Sequence, residues 1–167
     1  FLSQLEYLIG TENTRKTLKR FYNDFKFKHP TPNDLKRSAE RVSGANLDWY
    51  LTDWTQTTNT IDYGVKDAVA LEGQTIVTLE RIGLMPMPVE VQVLMKDGRK
   101  KEYYIPLQMM RGERPLRNNE TLLEDWAWAY PEYRFTVDVN PAKIESITID
   151  VNKETADINK ENNQLKI

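Results

Sequence analysis

The stretch "VEVQVLMKDGRKKEYYIPL", residues 89 to 107, decides the fold. Its two apolar runs carry a period of two, the repeat of a strand with one buried face. Asp97-Gly98 lies between them, a strong signal for a hairpin turn whose central residues take positive φ. Outward from this pair the same period recurs in "QTIVTLERIG" (74–83), "YRFTVDV" (133–139) and "SITIDV" (146–151). No helical pattern separates these strands after Thr60. Short strands closely spaced predict an antiparallel β-sandwich of about six to eight strands.

Before Thr60 the period is that of helices. Phe1, Leu2, Leu5, Leu8 and Ile9 share one face, and Gly10 is read as a left-handed stop. A second helix is expected from Thr11 to Lys26, with Leu18, Phe21, Tyr22 and Phe25 as its apolar stripe. The next begins in "FKFKHPTPNDLKR" (25–37), where Thr31 is placed to cap, Pro32 suits the first helical position and Asp34 sits at the third. It ends at Gly44. A fourth helix starts near Asn46 and carries Leu47, Tyr50, Leu51 and Trp54 on one side. The expected class is therefore α+β: a bundle of short helices over residues 1–60, then the sandwich over 61–167. The Asn- and Lys-rich end "NKENNQLKI" is expected to be a weakly ordered tail.

The 167 residues can bury a sizeable core, and the absence of cysteine excludes disulfides, thiolate zinc sites and cysteine nucleophiles. A formal charge of −2 gives no electrostatic reason to expect nucleic acid. No apolar run is long enough to span a bilayer. The chain opens on Phe1, inside a helical pattern and without methionine, so a piece of a longer protein is expected.

His29 is the lone histidine. A zinc site or a nucleophilic triad would need partners that this composition lacks, so the residue reads as part of a helix start. Trp126, Trp128 and Tyr130 alternate along an extended stretch, so they are expected to project to one side as a stripe that could stack on a sugar or fill a partner's groove; the alternative is that they cover the end of the sandwich or its seam with the helical layer. Arg111, Arg114 and Arg117 fall in an aperiodic loop expected over 108–120, where they suit either a carboxylate or phosphate ligand or plain solvent.

Taken together, "FLSQLEYLIG", "LKRFYNDFKFKHPTPNDLKRSAERVSGANLDWYLTDW" and "TIDYG" resemble the end of the catalytic domain of gluzincin zinc aminopeptidases, the aminopeptidase N-like metallopeptidases, in their bacterial branch. The closing "WAWAYPEYRFTVDV" and "ITIDVNKETADINKENN" are similar to C-terminal ends in that branch. Leu35 stands where the family commonly has phenylalanine.

The resemblance implies the last helices of a thermolysin-like catalytic domain followed by a β-sandwich. It also implies a parent that hydrolyses N-terminal peptide bonds and is often exported. The family's zinc-binding H-E-x-x-H, its G-x-M-E-N strand and its Y-x-K-G tyrosine do not occur here, so no catalytic or metal residue carries over. Zinc and peptide substrate are then expected only in the parent, and the partner of this piece is its missing catalytic region. The cut would leave apolar helix surface open to self-association. Two other readings stand beside this one: an independent β-sandwich binding module for protein or glycan, and part of a pseudo-enzyme.

Overall fold

A computed structural model describes all residues, 1–167. Four helices come first: α1 (Leu2–Ile9), α2 (Thr11–Phe25), α3 (Pro32–Ser43) and α4 (Asp48–Gln56). Eight strands follow: β1 (Tyr63–Leu71), β2 (Gln74–Arg81), β3 (Val89–Met95), β4 (Lys100–Ile105), β5 (Glu120–Leu122), β6 (Glu132–Val137), β7 (Ile144–Ile149) and β8 (Gln164–Lys166). They make a three-stranded sheet, β1-β2-β6, and a five-stranded one, β5-β4-β3-β7-β8. The α+β class, helices and then a sandwich, is as expected. Every pairing is antiparallel except β4 with β5.

The β3–β4 hairpin forms where Asp97-Gly98 predicted it, but its turn is different. Met95 bonds through its N–H to the Arg99 carbonyl, and only Gly98 has positive φ. That is a three-residue loop, which needs one left-handed residue and not two. The two-residue turn with both central φ positive lies instead at Glu72-Gly73, joining β1 to β2.

Period two places Val89, Val91, Val93 and Met95 of β3 in the buried core. Val65, Val77, Leu79, Phe135 and Val137 supply buried residues from the three-stranded sheet. The buried apolar cluster does not stop at the helix–strand transition: Leu5, Leu8, Ile9, Leu47 and Tyr50 belong to it as well. Tyr7 donates from its hydroxyl to the Pro88 carbonyl, and Tyr50 to that of Phe1, so the cluster is tied by polar bonds also.

Three details differ from the sequence reading. Gly10 has φ 83 and ψ 155, outside the left-handed helical well; this glycine-only conformation turns the chain directly from α1 into α2. On α2 the buried residues are Thr14 and Thr17, while Leu18 and Tyr22 of the expected inward stripe face solvent. The stripe is wider than the neighbouring α3 covers. Finally, the tail is tied down. β8 pairs with β7, Asp157 bridges to Ile61 and takes a hydrogen bond from Tyr63 N–H at 3.0 Å, and Gln4 bonds to Glu154 and Ala156. Asparagine and lysine content concealed backbone pairing that needs no apolar pattern.

Gly83 marks where this lacing is tightest. A Cβ there would lie 2.2 Å from the Thr60 carbonyl oxygen and 2.6 Å from the Asp62 nitrogen. Both are backbone atoms, and Gly83 N–H itself bonds to the Asp62 carbonyl. Gly83→Ala is therefore expected to cost about 1–3 kcal/mol, the range for overfilling a packed site. Urea unfolding should show a lower midpoint at unchanged slope; an unchanged midpoint would mean the two segments separate freely.

Candidate functional site

The helix start forms the expected cap. The Asp34 carboxylate accepts from both the Thr31 N–H and the Thr31 hydroxyl, each at 2.8 Å, and Pro32 opens α3. The Thr31 backbone bond comes first in lowering the Asp34 pKa, because it favours the charged form. His29 is exposed just before this cap.

Trp126, Trp128 and Tyr130 do not share a face, and this corrects their placement as one stripe. The segment is not an extended strand: Trp126 forms an isolated bridge with Leu107, and a turn follows at Trp128 and Ala129. Trp126 is 2% exposed, edge-on to Tyr63 and tilted on Tyr133, with its indole N–H on the Tyr130 carbonyl at 2.8 Å. Trp128 lies under the Arg81 guanidinium, 3.4 Å from its ring centre. Tyr130 alone is exposed.

The densest polar arrangement comes from the loop that sequence left aperiodic. On β3 the residues between the core valines face the other side of the sheet, so Glu90 points away from the sandwich interior. Its cross-strand neighbour on β4 is Tyr104. The loop that leaves Met110 drops Arg114 onto this pair. Arg114 is 3% exposed, its guanidinium lies 4.2 Å from the Tyr104 ring centre, and it donates to Glu90 at 2.7 Å and to Glu120 at 2.7 and 2.9 Å. Arg117 adds a bond to Glu90 at 3.0 Å and one to Glu154 at 2.5 Å. Glu120 opens β5, and Glu154 belongs to the closing segment. Two arginines thus tie three carboxylates from three parts of the chain.

Burial is the first influence on Glu90 and raises its pKa, partly offset by Arg114. On Glu120 the opposing bonds from Arg114 and from the Arg117 N–H outweigh burial, and the pKa falls. The difference follows from donors: Glu120 receives two bonds from Arg114 and one from the Arg117 N–H, whereas Glu90 receives one from each arginine. The sequence leaves Arg111, Arg114 and Arg117 open between an anionic ligand and solvent; the structure gives Arg114 and Arg117 carboxylates of this same chain, while Arg111 is exposed. Arg114 is no solvated loop residue.

Beside the network is a cleft of about 660 Å³ between the α1–α2 junction and the Arg114–Arg117 segment. Gly10, Thr11, Glu12, Lys16, Arg117 and Glu154 are among its lining residues. The lining carries both signs, and the arginines that could receive an anion already hold Glu90, Glu120 and Glu154. What this arrangement does chemically is to clamp. No three His, Asp or Glu side chains converge as a metal-ion group, and no helix is long and apolar enough to cross a membrane. No family model matches the chain, and no curated protein matches it.

Proposed function

We propose that this chain is the non-catalytic C-terminal portion of a zinc-dependent aminopeptidase-like protein, in which the helices close one wall of the catalytic domain and the sandwich holds them in place. The resemblance over residues 1–63 and at the C-terminus suggests the parent. The observation that carries the structural role is the join between the two parts. The buried cluster runs from α1 and α4 into both sheets, and the Arg114–Arg117 clamp closes over its edge. A sandwich built only to bind a ligand has no need of such a join, whereas a buttress does. Peptide substrate and zinc would reach this chain only through the parent.

The test compares the chain of 167 residues with its whole gene product. The chain alone is expected to hold less than stoichiometric zinc and to cleave no aminoacyl substrate. The whole product is expected to carry one zinc on an H-E-x-x-H segment upstream of Phe1 and to lose aminopeptidase activity on chelation. One zinc per chain in the short form, with chelator-sensitive activity, would overturn the reading. So would an upstream sequence without the motif.

A further inference from the structure

We infer that this chain pairs head to tail with a second copy of itself, the basic aromatic face of its α2–α3 hairpin docking on the acidic segment 118–133 of the next copy. Both surfaces belong to this sequence, so the inference stands independently of any region outside it.

The basic surface is built by the way the two helices pack. α2 buries only Thr14 and Thr17, and α3 only Ser38 and Ala39. Contact through such small side chains leaves the large apolar ones of α2 outside. Leu18 is 42% exposed and Tyr22 66%. Phe27, at the tip of the hairpin, is fully exposed and has φ 63, a conformation that crowds the Cβ of any residue but glycine. Arg15, Lys19, Tyr22 and Lys26 follow at i, i+4, i+7 and i+11, so they share one strip of α2 and its continuation. Residues 11–41 hold nine Lys and Arg against four Asp and Glu, a formal +5. Glu12 is paired with Arg15 and Lys16, and Asp24 with Arg20, which leaves Lys19 and Lys26 without an acidic partner.

The second surface has the opposite sign. Residues 118–133 hold four acids and no Lys or Arg. Glu120 is held by Arg114 and Glu132 by Lys66, but Glu124 and Asp125 are exposed and make no ion pair. Leu122, 42% exposed, and Tyr130 flank them in the sequence. Arg81, which reaches this segment from β2, is already occupied by the Trp128 ring and by the Trp128 and Gly83 carbonyls. The Trp126 indole on the Tyr130 carbonyl and the Tyr133 hydroxyl on the Glu124 carbonyl hold the segment in place, so docking costs it little further ordering.

The match selects the occupant. A symmetric contact through α2–α3 alone would set +5 against +5. An anionic membrane or a nucleic acid would answer the cations and leave Glu124 and Asp125 facing like charge. Segment 118–133 of a second copy answers Lys19 and Lys26 with carboxylates, and Leu18, Tyr22 and Phe27 with Leu122 and Tyr130, the apolar centre and polar rim of a protein interface. Because the two surfaces differ, each contact leaves one of each for the next copy, and the pairing repeats into a ring or an open chain.

The experiment measures the mass of the whole chain, Phe1–Ile167, by sedimentation over a range of concentration. The substituted positions are all exposed, so melting temperatures should not change, and this is checked first. The native chain is expected to associate, and several-fold more weakly at about 500 mM than at about 50 mM salt. Lys19→Glu with Lys26→Glu should abolish association, and so should Glu124→Lys with Asp125→Lys. Mixed together, these two variants should associate as the native chain does, because every basic surface again meets an acidic one. A photo-crosslinking phenylalanine analogue at position 27 should label residues 118–133 of another copy. Monomers at every concentration, association that the Glu124 and Asp125 reversals leave intact, or a crosslink joining two α2–α3 hairpins would each overturn the inference.

Discussion

Arg114→Met is expected to destabilise the fold by about 3–5 kcal/mol, the cost of removing one partner from a buried ion-pair group. The side chain is almost fully enclosed, and its loss leaves Glu90 and Glu120 facing each other beside Tyr104 without their common cation. In a chain of this size the fall in Tm should be on the order of 10 °C. The pH dependence gives the mechanism away. In the native protein the raised Glu90 contributes stability that is fully present below its unfolded pKa and is lost as pH rises through its folded one. The lowered Glu120 does the opposite: its contribution is present above the unfolded pKa and is lost as pH falls through the folded value. Without Arg114 both folded pKa values move up, so the variant gains on the native protein as pH falls through the ordinary carboxylate range. Thermal melts of both proteins between neutral pH and about pH 4 should converge, since the carboxylate reference lies at about 4.3. A gap that stays constant or widens would mean that methionine disturbs packing and not charge.

Trp126→Ala should be nearly as damaging, about 3–5 kcal/mol, the usual range for emptying a buried aromatic site. The indole is enclosed by Tyr63 and Tyr133, and its N–H holds the turn at the Tyr130 carbonyl. Tyr130→Ala, four residues on, is expected to change stability by less than about 0.5 kcal/mol because its ring is exposed. The contrast separates packing from recognition. If the stretch were a ligand platform, Trp126→Ala would abolish binding to glycan arrays or protein partners with little change in melting. Calorimetry of the two variants decides it.

The parts of the fold that could be read in advance are those where local chemistry and global structure agree. Val89 to Met95 alternates because one face is buried, and Thr31, Pro32 and Asp34 make a helix start from three adjacent residues. The misses share a cause. Arg114 sits in a segment without periodicity, and its partners lie 24 residues before it and 6 after it, so no window of sequence contains the group. The stripe on α2 was read correctly as amphipathic, yet amphipathicity does not name what will cover the apolar side. Trp126 to Tyr130 alternates as a strand would, but a turn at Trp128 and Ala129, closed by the Tyr130 N–H on the Ala127 carbonyl and braced by the Trp126 indole on the Tyr130 carbonyl, redirects the rings. The closing segment has few apolar residues, and its order comes from Asp150 and Asp157 accepting backbone N–H groups, which composition does not reveal.

That closing segment also sets a timetable. Gln4, near the start of α1, bonds through its amide to Glu154 and Ala156, about as far apart as this chain allows. Arg117 waits on Glu154 in the same way. During synthesis α1 leaves the ribosome long before the residues that fasten it, so these bonds can form only once residues 154–156 have been made. Removal of residues 154–167 would then give a product whose defect appears more than a hundred residues away in sequence, in the first helix.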